Sequence, residues 1–383
     1  MMRSMFSGVT GLRTHQTRMD VVGNNIANVN TVGFKSGRVT FQEVFSQTLR
    51  GAGAPDPASG RGGTNPMQVG LGIGIGSLDT IMNRGSLQRT DNPTDLSIQG
   101  EGFFVVKGGT ADTYKFTRAG NFSIDSQGNL VNGNGMNVYG WQQYTQGTDG
   151  SFSFNTENTV EAINFYGDDY NLNKRMIAAQ STSSATFAGN LNSALAVVVP
   201  AVDDAQFSVP MTVYDSLGNS YEISIDFYKT DVDGVNAQTT WQWEVNAGAM
   251  SAATGEIVFD EDGQILDTIV GSEPVQTVTL TPDATTGTTA FDVELDFTKV
   301  TMYAGDSSVK TTNVNGYTTG NLVTFSIGSD GIITGIYSNG QQQPLGLVGL
   351  ALFENPAGLQ KVGENLFIQT TNSGEFKKGS KPG

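Results

Sequence analysis

The sequence predicts a mainly β protein with two β-rich domains, one inserted in the other, preceded by a single N-terminal α-helix. Three observations predict it. Glycine is abundant, at 49 of 383 residues, and only 15 % of residues are charged, a profile that suits strands and tight turns. From about residue 77 onward, short apolar-alternating runs are separated by Gly-Gly, Asn-Gly and Asp-Gly pairs. At the N-terminus Met2, Met5, Val9, Leu12, Met19 and Ile26 instead follow the three-and-four spacing of a coiled-coil seam, interrupted by Gln16 and Gly23.

Residues 1–30 therefore read as helix, ended by Asn24, Asn25, Asn28, Asn30, Thr31 and Gly33, which is turn and helix-stop chemistry. Nothing adjacent in sequence offers this helix a partner. Residues 35–50 read as a second amphipathic segment with Phe41, Val44, Phe45 and Leu49 on one face, so that 1–50 forms an N-terminal helical segment. Residues 51–76 hold nine Gly and three Pro and read as a linker arm. The arm ends in Gly70-Leu-Gly-Ile-Gly-Ile-Gly76, a strand with one bare face that lets another backbone come close. It lacks the Gly-x-Gly-x-x-Gly spacing of a dinucleotide site.

The strand grammar then runs through Gly102–Val106, Tyr114–Phe116, Asn121–Ile124 and Asn137–Trp141. It continues across a long central region and returns in Val323–Ile327, Ile332–Tyr337 and Leu347–Phe353. The simplest architecture is an intermediate β-domain split into 77–144 and 299–372, with an inserted outer β-domain at 145–298. A basic Gly/Pro tail without apolar periodicity closes the chain at 373–383.

Composition excludes whole classes of function. Without cysteine there is no disulfide, thiolate metal site or cysteine nucleophile. No apolar run reaches the length of a membrane span, and Arg13, His15 and Arg18 stand where a secretory signal would need its apolar core. Net charge is −16, of which residues 1–50 carry +4 and the remainder −20; such an acidic body does not suit nucleic acid. The one histidine, His15, lies in the helix, where it reads as a polar contact or an exposed residue and not as part of a triad. Asp203-Asp204 and Asp168-Asp169 sit in loop-like surroundings. Asp231–Gly234, Asp260–Gly263 and Asp330-Gly331 lack the glutamate that completes a calcium loop and read as hairpin turns. No catalytic residue, metal site or cofactor is expected, and the chain does not read as an enzyme.

The run Asn24, Asn25, Ile26, Ala27, Asn28, Thr31, Gly33, Phe34, Lys35, with the preceding helix and the following Phe41 and Phe45, resembles the N-terminal signature of the bacterial flagellar rod and hook protein family. Asp95–Phe104, Phe116–Phe122, Gly128–Val131 and Leu347–Gly374 are similar to later segments of that family. Ala179–Ser183 and Val213–Asn219 look like the extra outer domain of its hook members. The resemblance implies a structural subunit that self-assembles into a curved helical tube, a universal joint passing torque from rod to filament. It implies Met2, Met5, Val9, Leu12, Met19 and Ile26 as subunit contacts in an inner helical layer. It implies rod, hook-cap and hook–filament junction proteins as partners, and an export apparatus that reads an uncleaved N-terminal segment. It places the protein in the flagellum, outside the cell, with no membrane insertion. Family members close with a second long helix, and the 373–383 tail reads as lying before that missing helix. Two other readings remain open: a distal rod protein, and a secreted β-rich binding protein presenting Trp241, Trp243, Tyr221 and Tyr228.

Overall fold

The computed structural model describes residues 2–55, 60–109, 113–147, 151–167, 174–200, 202–248, 253–267 and 273–380. The chain is mainly β, with one long helix and two compact units. The first unit comprises residues 1–174, 325–335 and 343–383; the second comprises 175–324 and 336–342. The chain thus passes between the units four times, and the first passage lies at Lys174, later than the expected boundary at 144.

In the first unit, α1 (Met2–Ala27) is a single helix of 26 residues, roughly 39 Å long. The segment after it is not helical. Residues expected as an amphipathic helix form β1 (Gly37–Glu43) and β2 (Ser46–Arg50), which pair antiparallel with β4 (Ile73–Thr80) and β3 (Met67–Gly70). The reason is local: Val39-Thr40-Phe41 is β-branched and aromatic, and in so short a run the helical and strand periods cannot be told apart. The glycine-rich stretch expected as an arm supplies β3 and the start of β4, so the result is a two-stranded ribbon. Arg38 and Asp79 pair across it at 2.9 Å.

The core of this unit is built on β5 (Phe103–Lys107), β6 (Tyr114–Thr117) and β9 (Asn137–Trp141), with β7 (Phe122–Ile124) and β8 (Leu130–Asn132) between the last two. The later segments return to the same strands: Leu350 pairs with Phe104, Leu366 with Thr117 and Leu347 with Trp141. Phe103, Phe116, Trp141, Phe353 and Phe367 are buried together, with Phe103, Phe353 and Phe116 meeting edge-on. The start of the expected tail belongs to this packing. Phe376 lies against Tyr114 and Phe116, and Lys377–Ser380 pairs with Leu350–Leu352. Residues 381–383 lie outside the described residues.

The second unit holds two four-stranded sheets. One is an antiparallel meander of Phe207–Tyr214, Ser220–Asp233, Gln238–Asn246 and Thr254–Phe259. In the other, Ser184–Asn192 runs parallel to Phe291–Tyr303 and antiparallel to Lys310–Val314. Their inward faces share one core in which Phe187 stacks on Phe297 at 5.0 Å. Of the aromatics considered as a binding surface, Trp241 and Trp243 are 0 % and 2 % exposed and Tyr228 is also buried, while Tyr221 is half-buried and packs against the same core. The aspartate turns are closed by their own loops. The Asp260 carboxylate accepts from the Gln264 N–H, that of Asp233 from Val235 and that of Asp330 from Ile332. The Asp203 carboxylate accepts from the Val199 N–H, while Asp168-Asp169 lies outside the described residues.

Candidate functional site

The N-terminal helix has two faces, and only one is used within the chain. Ser7, Gly11, Thr14, Val21, Asn25 and Asn28 lie partly or wholly buried against the ribbon. Each stands two positions beyond a seam residue (Met5, Val9, Leu12, Met19, Ile26) or joins the same row, roughly 200° round the helix. The glycines that permit the approach lie on the ribbon's side, since a Cβ on Gly11 of the helix would meet nothing within 4 Å. A Cβ on Gly72 would stand 2.5 Å from Thr10 Oγ1, and one on Gly37 would meet Val21 at 3.2 Å. Thr14, the buried residue of α1, satisfies its hydroxyl by donating to the Thr10 carbonyl at 2.7 Å. His15 meets Phe41 of β1 edge-on at 5.2 Å, and the Arg18 guanidinium lies 5.8 Å from the same ring. His15 is exposed, one of the two readings the sequence left open, and the contact it makes is with the Phe41 ring of a strand. The expectation that nothing nearby in sequence pairs with α1 is corrected: β1 and β4 do, on the polar side.

The apolar seam is left open. Met2, Met5, Leu12, Met19 and Ile26 are 72 %, 68 %, 74 %, 68 % and 68 % exposed, and Val9 is also exposed. An exposed apolar stripe, even one broken at Gln16 and Gly23, is the kind of surface that interaction sites present.

The motif after the seam is a succession of tight turns that fixes the helix to the β-unit. Asn28, Thr31 and Phe34 donate their backbone N–H groups to the carbonyls of Asn24, Asn28 and Thr31. The Asn28 amide also donates to the Asn24 carbonyl, and the Thr31 hydroxyl to Asn28 Oδ1. Asn25 reaches across to β1 both ways, its amide donating to the Gly37 carbonyl at 2.8 Å and its Oδ1 accepting from the Gly37 N–H at 2.9 Å. Gly33 adopts the left-handed conformation at φ 73°, and its absent side chain lets the backbone sit against Arg118 and Ala119. Ile26 and Ala27 stay exposed.

Lys35 closes the motif. Its ammonium, nearly buried, donates to the carbonyls of Asn83 at 2.7 Å and Met82 at 3.4 Å. Lys361 donates to the Lys35 carbonyl and lies 5.2 Å from the centre of the Phe34 ring, and Asn365 donates to the Val32 carbonyl. Burial pushes the Lys35 ammonium below its ordinary pKa, and the nearby Arg118 cation adds to this. Burial likewise lowers Lys361. Arg118 is held down by burial, with Glu101 opposing and Arg84 adding, and its Nε is buried without an acceptor. Sequence reasoning found the motif but missed Lys361, Asn365 and the small-residue stripe. The stripe's own period was visible; the other two are separated from the motif by most of the chain.

The polar groups of this motif are spent on its own turns and on contacts with the β-unit. Among the described residues, no group of three or more His, Cys, Asp or Glu is placed to hold a metal. No helix among the described residues is long and apolar enough to cross a membrane.

Three family descriptions match the chain: flagella basal body rod protein over residues 5–35, flagellar hook protein FlgE/F/G D1 domain over 97–167, and flagellar basal body protein FlaE D2 domain over 190–317. The sequence is 37 % identical to the flagellar hook protein FlgE of Borreliella burgdorferi, over 99 % of this chain and 87 % of that one. It is 38 % identical to the FlgE of Treponema pallidum, over 98 % and 86 %. It is similar in fold to the crystal structure of the Helicobacter pylori flagellar hook protein FlgE2, with a TM-score of 0.54 at 13 % identity, covering 77 % of this chain and 95 % of that one.

Proposed function

The chain belongs to the flagellar hook protein family, self-polymerising structural subunits of the bacterial flagellum, and from that premise we propose that the open face of α1 is its principal assembly surface. Met2, Met5, Val9, Leu12, Met19 and Ile26 pack against other helices in an inner layer of the polymer. The observation that carries this reading is the division of labour on one helix. The polar stripe is held by the chain's own ribbon while the apolar stripe stays in water. The anchoring motif from Asn24 to Lys35 sets the direction in which that stripe points. Residues 1–50 are then the polymerisation and export segment, leaving the cell by the flagellum's own route without a cleaved leader. The assembled tube works as a universal joint, meeting rod proteins at one end and cap and junction proteins at the other. The second unit favours this over a distal rod role, because the D2 match lies within it.

Replacing Leu12 or Ile26 with Asp tests the surface. An unpaired charge buried in an interface costs about 3–5 kcal/mol per copy. Polymer measured by sedimentation and electron microscopy is expected to disappear while circular dichroism keeps its β signature. Polymer from both variants at the parent level would sink the assignment.

A further inference from the structure

The first unit contains a cleft of about 520 Å³, a size that holds a ligand or an anchoring side chain. Its floor includes Phe104, Val348 and Leu350, all buried apolar residues, and Glu101 and Asp330 also line it. Both carboxylates are exposed, and Glu101 lies within electrostatic reach of Arg118. Glu101 has no hydrogen bond or ion pair among the described residues, and Asp330 uses one oxygen for the Ile332 N–H.

The same unit carries a segment of complementary character. Residues 84–91 have no secondary structure, are exposed throughout, and make no hydrogen bond within the described chain. Backbone groups left so completely to water are a ready site for a partner. The segment presents Leu87, 53 % exposed, between Arg84 and Arg89, and neither arginine has an ion pair or hydrogen bond among the described residues. In its own chain the charge that Arg84 feels includes the like-charged Arg118.

We propose that the 84–89 segment of one copy docks in this cleft of a second copy, with Leu87 on the Phe104–Val348–Leu350 floor and the two arginines facing Glu101 and Asp330. The inference rests on the self-polymerising reading and names a contact outside the helical layer. Knob and hole are different surfaces, so the contact is head-to-tail and repeats from copy to copy without closing. The leucine supplies affinity by leaving water. The exposed charges supply orientation more than strength, since such pairs are individually weak.

The cysteine-free sequence gives the test a clean background. In the double variant Ser86→Cys/Ser329→Cys, which keeps Leu87, one thiol sits beside the knob and the other on the cleft wall. Mild oxidation is expected to give a ladder of disulfide-linked multimers on a non-reducing gel, while each single-cysteine variant stops at dimers. Adding Arg84→Glu/Arg89→Glu is expected to abolish the ladder, and adding Glu101→Lys/Asp330→Lys on top is expected to restore it. A fast-migrating internally linked monomer would overturn the inference by placing the segment in its own cleft. Unlinked monomer at every concentration, or dimers no different from the single-cysteine controls, would overturn it as well. Sedimentation of the parent separates the two ideas. Polymer without a ladder leaves the assembly reading standing and the docking wrong; a ladder without polymer does the reverse.

Discussion

Gly33 is the residue on which the placement of the whole N-terminal arm turns. Its φ of 73° disfavours any side chain, and a Cβ there would stand 2.6 Å from the Ala119 nitrogen, a backbone atom that cannot swing away. Gly33→Ala is expected to cost about 1–3 kcal/mol of local stability. Faster proteolysis between residues 28 and 36, with the β-core melt little changed, would register it; parent-like proteolysis would show that the junction gives way freely. A second residue-scale device occurs once in each unit. In Asp125-Ser-Gln-Gly-Asn129 and Asp215-Ser-Leu-Gly-Asn219 the aspartate accepts from the N–H two and four residues on and from the side-chain amide of the asparagine. At Asp215, burial pushes the carboxyl up, but Asn219, Tyr221 and the Leu217 N–H together outweigh it and leave the pKa below its ordinary value. A carboxylate lowered in the folded state stabilises above its unfolded pKa, about 3.9, and that contribution fades as pH falls toward the folded value. Asp215→Asn should therefore melt below the parent at pH 7, with the gap narrowing by pH 3. A gap that stays constant would mean that the charge itself does nothing. The sequence marked Gly128–Val131 and Val213–Asn219 by family likeness; it did not show that an aspartate closes each loop.

At the scale of elements, the helix was legible and the ribbon was not. Seam residues recur over most of α1, long enough for period to identify a helix, whereas β1 and β2 are each too short for it. What pairs them is residues 67–80, of which Gly70–Gly76 had the alternation of a strand but no identifiable partner in the sequence. Gly37, at the start of β1, shows why a missing side chain matters. Gly37→Val raises strand propensity yet drives a side chain into Val21 of α1, 3.2 Å from where its Cβ would stand. The expected outcome is an intact ribbon with a loosened helix. Tryptic cleavage after Arg13 and Arg18 should quicken about tenfold, the factor that 1.4 kcal/mol corresponds to. Unchanged cleavage would show that the ribbon does not hold the helix.

For the whole molecule, the two β-rich units followed from the strand grammar, and the burial of Trp241 and Trp243 from their alternation on one strand. Where one unit gives way to the other was not legible, because only pairing across the chain assigns a strand to its unit. The assembly seam was readable because it is an intrinsic property of one helix. The cleft and the free segment were not, since the cleft's walls come from residues 96–104, 327–331 and 348–350. The route of the chain has a mechanical corollary. A domain appended at a terminus is tied by one covalent thread and a simple insertion by two, but here the backbone passes from unit to unit four times. Any pull transmitted from one unit to the other is divided among four strands of peptide, and a break in one of them leaves three covalent tethers intact.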